Sequence, residues 1–444
     1  MVEGSEECDD GNRVNFDGCD WDCVAVPAVQ VTAGATSNVV CAWTDNLLSC
    51  WGVNRWGQLG IGTSGVCDDV LHCNGACCVG DDETPAEIGA IEMDGLSQVS
   101  VGATQTCVVR HGDVYCWGLV TSALGLPARF AECPAVSVGE VGLCASDPRC
   151  CLGDDEPVTT LEPVDVGGPV AQVLAAGVTC ALLRDGTVRC WGVGAGLGLA
   201  LGDEAIGDDE SPSAAPVVEV GAAVAQLAGT GPVCALTTSG GVRCWGWCWL
   251  DENYQQVAGC LGYGGAEPVG DDETPASAGD LPLADRAVQI SSRYQTTCAL
   301  LENGGIQCWG LNIGLELDSA ADAPVYILPA GAKRVVVGGT PSYCGLSSDG
   351  VVTCWGHAFG LGELGRGDGV ETVVDPVAFG LAVDIGGPAL ALAHTGSPNC
   401  AIRDDLNVFC WGGYANVGVT GLGSTEPVGD DETPASRGPV PLPW

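Results

Sequence analysis

The chain has 444 residues, of which 46% are hydrophobic and 16% are charged, and its formal net charge is −42. Such an acidic surface repels nucleic acid and anionic lipid, because a nucleic-acid partner needs a basic stripe and only 15 Lys and Arg residues are present. No apolar run approaches the roughly 18–20 residues of a membrane-spanning helix. Composition therefore excludes nucleic-acid binding and membrane insertion.

Cysteine usage indicates the compartment. The 27 cysteines favour disulfides in an oxidising environment over free thiols in a cytosolic protein. The first residues, MVEGSEECDDGN, lack the basic end and apolar stretch of a signal peptide. We therefore expect an extracellular or outer-cell-surface protein that is cut from a longer precursor.

Residues 1–28 form a predicted N-terminal extension with three cysteines, Cys8, Cys19 and Cys23. The stretch EGSEECDDGNRVNFDGCDWDC resembles the short cysteine-rich repeats of bacterial surface proteins that are named for Myxococcus. That pattern usually has one more cysteine upstream, so the resemblance implies a truncated repeat. By composition alone, Asp9, Asp10, Asn12 and Asp17 are candidate Ca²⁺ ligands.

Residues 29–444 contain seven copies of one phrase, CWG, at a mean interval of 60 residues. Each unit has short apolar strands, such as VAQVLAAG, separated by Gly, Pro and Asp. About four strands per unit predict an all-β, seven-bladed β-propeller with a short disulfide-stapled N-terminal extension. A solenoid is the alternative, but it needs capping units. The predicted blades span residues 29–88, 89–158, 159–218, 219–282, 283–328, 329–378 and 379–444.

The end of the chain offers a way to close the ring. The C-terminal GPVPLPW matches the interblade GDLPL at 279–283. We hypothesise that this segment supplies a strand that the first blade lacks.

Each unit carries two cysteines 9 or 10 residues apart, which predicts a two-stranded hairpin with the cysteines opposed on a non-hydrogen-bonded pair. Seven disulfides follow, with buried free thiols as the alternative. The predicted bridges are Cys41–Cys50, Cys107–Cys116, Cys180–Cys190, Cys234–Cys244, Cys298–Cys308, Cys344–Cys354 and Cys400–Cys410.

The hairpin loops support this register. A spacing of 10 leaves a three-residue loop, and four of these loops place Gly last, where a left-handed residue is needed. A spacing of 9 leaves a two-residue loop. These loops are Asp45-Asn46 and His111-Gly112, whose residue types tolerate positive φ. The seventh loop, Asp404-Asp405-Leu406, lacks the glycine, so we expect strain or a different turn there.

The remaining cysteines lie in insertions that follow CWG in the first, second and fourth units. Because equivalent loops emerge on one face of a propeller, the insertions are expected to build up one side, where binding commonly occurs. The third insertion, at 247–260, carries Trp247, Trp249 and Tyr254. These aromatic residues are candidate contacts for a partner or sugar, or they cover the blade edge.

Two metal hypotheses arise from the loops. His72 among the cysteines of 67–78 could mimic a zinc site, but the spacing is not that of paired C-x₂-C motifs. An acidic GDDE-type stretch recurs at 80–83, 153–156, 207–210, 270–273 and 429–432. This stretch fits either Ca²⁺ coordination or a solvated turn. The residue types favour the solvated turn. No other cofactor is expected.

CWGVNRWGQLGIG at 50–62 resembles the signature of the regulator of chromosome condensation (RCC1) repeat family. Weaker copies lie at 173–202, 288–310 and 335–365, so the resemblance covers residues 29–444 and implies a seven-bladed propeller. The paired cysteines and GDDETPA resemble the bacterial secreted branch. The best-known activity of the eukaryotic branch is guanine-nucleotide exchange on a small GTPase.

These patterns together predict a non-catalytic, monomeric binding scaffold that recognises a protein or glycan through its insertions. A regulator of a small GTPase is the alternative. An enzyme is not expected, because His72, His111, His357 and His394 take part in no recognisable catalytic arrangement.

Overall fold

The computed structural model describes most of the predicted propeller. The described residues are 29–34, 38–62, 78–133, 148–202, 204–248, 259–265, 267–310, 319–338, 342–358, 360–370, 372–373, 381–393, 398–413 and 417–444. Within them the chain forms seven antiparallel sheets, each built from consecutive strands. The architecture is an all-β, seven-bladed propeller, as the repeats predict.

The first three sheets contain thirteen strands. They are β1 (Gln30–Ala33), β2 (Val39–Trp43), β3 (Leu47–Val53), β4 (Cys78–Val79) and β5 (Ile91–Glu92) in blade 1; β6 (Leu96–Val101), β7 (Gln105–Arg110), β8 (Asp113–Leu119) and β9 (Cys151–Leu152) in blade 2; and β10 (Val170–Ala175), β11 (Thr179–Leu183), β12 (Val188–Val193) and β13 (Ala205–Ile206) in blade 3.

The other four sheets contain fourteen strands. They are β14 (Val224–Gly229), β15 (Val233–Thr237) and β16 (Val242–Trp245) in blade 4; β17 (Ala287–Arg293), β18 (Thr296–Leu301), β19 (Gly305–Gly310) and β20 (Val325–Ile327) in blade 5; β21 (Ala332–Val337), β22 (Ser342–Ser347), β23 (Val352–His357) and β24 (Thr372–Val373) in blade 6; and β25 (Ala389–Ala393), β26 (Asn399–Arg403) and β27 (Val408–Trp411) in blade 7.

Helices are short and lie between strands. Three of them begin at a proline two residues after an acidic stretch, with a threonine at the N-cap, where the missing proline N–H costs nothing. The α-helices are α1 (Pro85–Ile88), α2 (Pro127–Glu132), α3 (Pro275–Ala278) and α4 (Pro434–Arg437); the 3₁₀ helices are Ser122–Leu124, Pro148–Cys150, Val158–Thr160, Ala195–Leu197 and Ala320–Asp322.

All seven predicted hairpin disulfides are present, with the cysteines directly opposed in register. Their Cα atoms lie 4.0–4.1 Å apart. In blade 3 the Leu183 N–H bonds to the Thr187 carbonyl next to the turn. Hydrogen-bonded and non-hydrogen-bonded pairs alternate from there, which places Cys180–Cys190 on a close, non-hydrogen-bonded pair.

The turn residues follow the predicted conformations with one exception. Gly186, Gly240, Gly304 and Gly350 all have φ between 79° and 86°. Leu406 takes the same left-handed place with φ 66°, so the missing glycine does produce strain.

The two shorter loops differ from each other. His111 and Gly112 both have positive φ, whereas Asp45 and Asn46 do not. The Thr44 hydroxyl accepts hydrogen bonds from the Asn46 and Leu47 N–H groups. This local bonding supports a different turn in blade 1.

The tryptophans of the CWG phrases join neighbouring blades. Trp51, Trp117, Trp191, Trp245 and Trp309 are fully buried. The Trp117 indole N–H donates to the Gln58 carbonyl of the preceding blade at 3.0 Å, and Trp191 donates in the same way to Ala123 at 2.8 Å. In these two blades the phrase therefore fills the interblade core and also fixes the loop of the preceding blade.

The ring closes between the last blade and the first. Strand β1 packs against β25 and β26, and the Trp51 indole N–H donates to the Val419 carbonyl at 2.9 Å. The hypothesis that the C-terminal segment supplies a strand to the first blade is wrong. The Val440 N–H donates a hydrogen bond to the Val408 carbonyl of the last blade, just as the Leu281 N–H donates to the Val242 carbonyl in blade 4. The segment joins the first blade through the Ala86 N–H, which bonds to the Pro441 carbonyl. It acts as an interblade linker and adds no strand to the first sheet.

Candidate binding face and acidic turns

One end of the propeller carries the connections between first and second strands and between third and fourth strands. These connections share an end because neighbouring strands in every sheet are antiparallel. In blades 1 and 2 the third strand ends at Val53 and Leu119, and the fourth begins at Cys78 and Cys151. The long insertions therefore emerge at this end, which we call the insertion face.

Disulfides hold the described parts of two insertions. Cys133 at the end of α2 pairs with Cys150, and Cys248 pairs with Cys260; the Cα atoms are 5.2 Å and 5.8 Å apart. Cys78 and Cys151, at the start of outer strands, are also disulfide-bonded. Stapling fixes the bases of these loops on a rigid sheet, which lowers the entropic cost of presenting them to a partner.

Of the three aromatic candidates, the structure describes Trp247, whose surface is 44% exposed. Its indole Nε1 lies 3.9 Å from the position that a Cβ on Gly194 of blade 3 would take. Val193, next to that glycine, is 55% exposed. Trp247 and Val193 thus bring exposed apolar surface together at the seam between two blades. Trp249 and Tyr254 lie outside the described residues.

Tyr294 is a second exposed aromatic residue on this face, and it was not among the candidates predicted from the sequence. It lies in the connection between β17 and β18 with φ 49°, a conformation that non-glycine residues rarely adopt. The Arg293 guanidinium lies 4.8 Å from its ring centroid, and the Thr230 hydroxyl of blade 4 accepts from its backbone N–H at 2.8 Å. Only the tertiary structure reveals this residue, since a single tyrosine in a short loop gives no pattern.

The acidic stretches form turns at the seams between blades. At each of the five, one carboxylate oxygen from each of three residues lies within 4.8 Å of the other two. The groups are Asp81, Asp82 and Glu83; Asp154, Asp155 and Glu156; Asp208, Asp209 and Glu210; Asp271, Asp272 and Glu273; and Asp430, Asp431 and Glu432.

Each acidic turn packs against a glycine-rich loop of the preceding blade. A Cβ on Gly57 would lie 2.9 Å from the Asp154 nitrogen, and one on Gly418 would lie 2.4 Å from the Asp81 nitrogen. The loop therefore requires glycine for the close approach of the two backbones. The Gly62 N–H completes the contact in blade 2 by bonding to the Gly153 carbonyl at 3.2 Å.

The acidic turns are less solvated than their residue types suggest. Burial, together with neighbouring carboxylates, raises the pKa of Glu83, Glu210 and Glu432 to about 7 and the pKa of Asp154 to about 6. Burial also raises the pKa of Glu273. The cause is the free-energy cost of holding several ionised groups together away from water. The solvated-turn interpretation therefore describes the exposed middle residue of each turn better than its neighbours.

Several other candidates lie outside the described residues. They are the calcium candidates Asp9, Asp10, Asn12 and Asp17, the zinc candidate His72, and His394. Of the other histidines, His357 contacts the Thr372 hydroxyl through Nδ1 at 2.8 Å, and His111 lies 3.4 Å from the Asp94 carboxylate. None of the helices in the described part of the chain has the length and hydrophobicity needed to cross a membrane.

Comparison with known proteins supports the fold. No protein-family model matches the chain. The ultraviolet-B receptor UVR8 of Arabidopsis thaliana is 26% identical over 369 residues, which are 80% of this chain and 71% of UVR8.

Solved structures also support the fold. Human WBSCR16 superposes with a TM-score of 0.62 at 16% identity, covering 90% of this chain and 94% of that one. Yeast RCC1 (Prp20), solved with Kap60 bound, gives 0.56 at 18% identity, covering 88% and 83%. Saccharomyces cerevisiae Prp20p, described with its binding to Gsp1p and histones, gives 0.56 at 16% identity, covering 89% and 86%. The chain is thus an RCC1-like seven-bladed propeller.

Proposed function

We propose that this RCC1-like propeller is a secreted or cell-surface scaffold that binds a protein or glycan ligand through its insertion face. The observation that carries the proposal is the exposed Trp247 at a blade seam, beside an insertion that the Cys248–Cys260 disulfide staples. A large exposed aromatic residue on a fixed base is the type of anchor that dominates binding energy in many interfaces.

The disulfides support an extracellular site of action. Seven hairpin bridges and two insertion bridges are present in the described residues. Disulfides in this number persist in oxidising compartments and are rare where thiols are kept reduced. The proposal therefore includes secretion of the chain.

A protein ligand is favoured over a glycan. The similar propeller Prp20 is described with Kap60 bound, and with binding to Gsp1p and histones. Its use of protein partners supports the same class of ligand here. The net charge of −42 further favours a ligand that is neutral or basic at its contact surface.

The test is capture of extracellular material from the producing organism on the immobilised full chain. We expect Trp247→Ala to weaken capture at least tenfold, as loss of an interface anchor does. Ile327→Ala is the matched control, because Ile327 is a 56% exposed apolar residue on the outer strand of blade 5. Protease treatment of the captured material should abolish binding, whereas glycosidase treatment should not. Equal capture by both variants would contradict the proposed face.

The alternative, a regulator of a small GTPase, rests on the family resemblance. Function does not follow from fold alone, and the disulfides favour a compartment different from that of such a GTPase. A nucleotide-release assay distinguishes the two proposals, since exchange activity accelerates release of bound nucleotide. We expect no acceleration.

A further inference from the structure

The acidic turn of blade 2 contains a buried carboxylate that has no partner. Asp154 is 1% exposed, and neither of its carboxylate oxygens has a hydrogen-bond partner among the described residues. Burying an ionised carboxylate is strongly unfavourable unless a cation or a set of hydrogen-bond donors compensates its charge. A group held in this way requires a proton or a cation.

The neighbours of Asp154 increase the negative charge and do not neutralise it. Asp155 and Glu156 each place a carboxylate oxygen within 4.8 Å of the others. The described ion pairs include none with these three residues, in contrast to blade 7, where Arg437 lies 3.7 Å from Glu432. The Glu156 carboxylate accepts one bond, from the Gly153 N–H at 3.1 Å.

We propose that the turn at 153–156 binds Ca²⁺ through the carboxylates of Asp154, Asp155 and Glu156. All three ligands are hard oxygen atoms, which Ca²⁺ prefers at about 2.3–2.6 Å. Two ligands on opposite sides of such an ion are separated by up to roughly 5 Å, and the three carboxylate oxygens of this turn all lie within that distance of one another. Mg²⁺ usually keeps several of its waters, so the enclosed position of Asp154 favours Ca²⁺. Zn²⁺ favours sulfur and nitrogen ligands, and Cys151 nearby is already disulfide-bonded.

The same geometry recurs at other seams. Asp81 and Glu83 in blade 1, and Asp271 and Glu273 in blade 4, also have buried carboxylate oxygens with no hydrogen-bond partner in the described residues. The groups at 208–210 and 430–432 complete the set of five. The proposal is confined to the blade 2 turn, because Asp154 is the one buried carboxylate residue in these five described groups.

Calcium at this turn would lie beside the contact between blades 1 and 2. The turn at 153–156 is joined to the loop of blade 1 through the Gly62 N–H and the Gly153 carbonyl, and a cation would neutralise the clustered carboxylates of the turn that makes this contact. Extracellular modules commonly bind Ca²⁺ with dissociation constants of about 10⁻⁴–10⁻³ M.

Titration calorimetry of the full chain with CaCl₂, after removal of calcium with EDTA, tests the proposal. We expect saturable binding by the wild type and the loss of one bound Ca²⁺ per chain in Asp154→Asn. Glu162→Gln is the matched control, because Glu162 is an exposed acidic residue a few positions further along the chain that lies outside the cluster. Loss of a site in both variants, or in neither, would overturn the proposal, as would wild-type protein that binds no Ca²⁺.

Terbium luminescence gives an independent readout of the site. A Cβ on Gly153 would lie 3.0 Å from Trp117 Cδ1, so Tb³⁺ bound at this turn should emit on excitation of tryptophan. We expect Ca²⁺ to displace the signal, and Asp154→Asn to reduce it relative to Glu162→Gln.

Thermal unfolding distinguishes a metal ligand from a structural carboxylate. In EDTA, Asp154→Asn should be at least as stable as the wild type, because it removes an uncompensated buried charge. In CaCl₂ the wild type should gain more in Tm than the variant. A variant that is less stable in EDTA would contradict the proposal, because the carboxylate would then have a partner within the protein. None of these measurements depends on the ligand of the insertion face.

Discussion

Gln98 of blade 2 holds the backbone of Val173 in blade 3 with both ends of its side-chain amide. Its Oε1 accepts from the Val173 N–H at 2.6 Å, and its Nε2 donates to the Val173 carbonyl at 2.9 Å. Gln172, Gln226 and Gln289 bind the innermost strands of the following blades in the same way. Because an innermost strand has no further strand to pair with, these amides satisfy backbone groups that face the propeller axis.

Replacing one of these glutamines should destabilise the propeller. Gln172→Met keeps the length of the side chain but leaves the N–H and carbonyl of Leu227 without their partner, at a cost of about 1–3 kcal/mol. Urea unfolding measures the loss. Ser97→Ala, in the neighbouring blade, removes only one side-chain contact, at 3.2 Å to the Val109 carbonyl. Equal stability of Gln172→Met and the wild type would contradict the role of the amide.

The seventh blade lacks this amide, so it can be added. Ala391 follows the register shift in β25, the position that Gln98 occupies in β6. Since β1 packs against β25, Ala391→Gln should reach the backbone of Val31, which follows Gln30. We expect a gain of about 0.5–1.5 kcal/mol in the free energy of unfolding. Ala391→Leu, which has similar bulk but no amide, should give no such gain.

The thiol content of the native protein should be low. Twenty cysteines in the described residues are disulfide-bonded, out of 27 in the chain. Intact-mass analysis after alkylation without reductant should therefore find no more than seven modified residues. Many more alkylated thiols would contradict the proposed extracellular location.

Removing one hairpin bridge should weaken the fold without changing its register. The paired substitution Cys180→Ser and Cys190→Ser reopens a short loop, and we expect a loss of about 2–3 kcal/mol on the chain-entropy model. Chemical denaturation measures this loss. An unchanged unfolding midpoint would show that sheet pairing alone holds the hairpin.

Leu406→Gly should stabilise the protein. Leu406 has φ 66°, which costs a non-glycine residue about 1–2 kcal/mol. Glycine relieves this strain, although part of the gain is offset by its greater freedom in the unfolded chain. We expect a net increase of about 0.5–1 kcal/mol by thermal unfolding. Leu406→Ala, which keeps the Cβ atom, should give less.

Tyr263 predicts a stability change at alkaline pH. Its hydroxyl accepts from the Cys244 N–H and donates to the Gly279 carbonyl, both at 3.1 Å, and burial raises its pKa to about 12. Because the folded pKa exceeds the unfolded value near 10, this group stabilises the fold below pH 10 and loses that contribution between pH 10 and 12. Tyr263→Phe should be less stable than the wild type at pH 8, by about 1–2 kcal/mol. The difference should shrink as the pH rises to 11.

The sequence alone determined the seven blades, the seven hairpin bridges and the left-handed glycines, because these depend on short-range spacing. Cysteines 9 or 10 residues apart oppose each other across a hairpin with a short two- or three-residue loop. The spacing alone therefore predicted the pairing of Cys180 with Cys190, which the structure contains. The tertiary structure decided what depends on contact between blades: the solvation of Asp154, the exposure of Trp247 and Tyr294, and the place of Val440. Burial and charge are set by residues far apart in the chain, and a repeat pattern cannot specify which loop of one blade covers the carboxylates of the next.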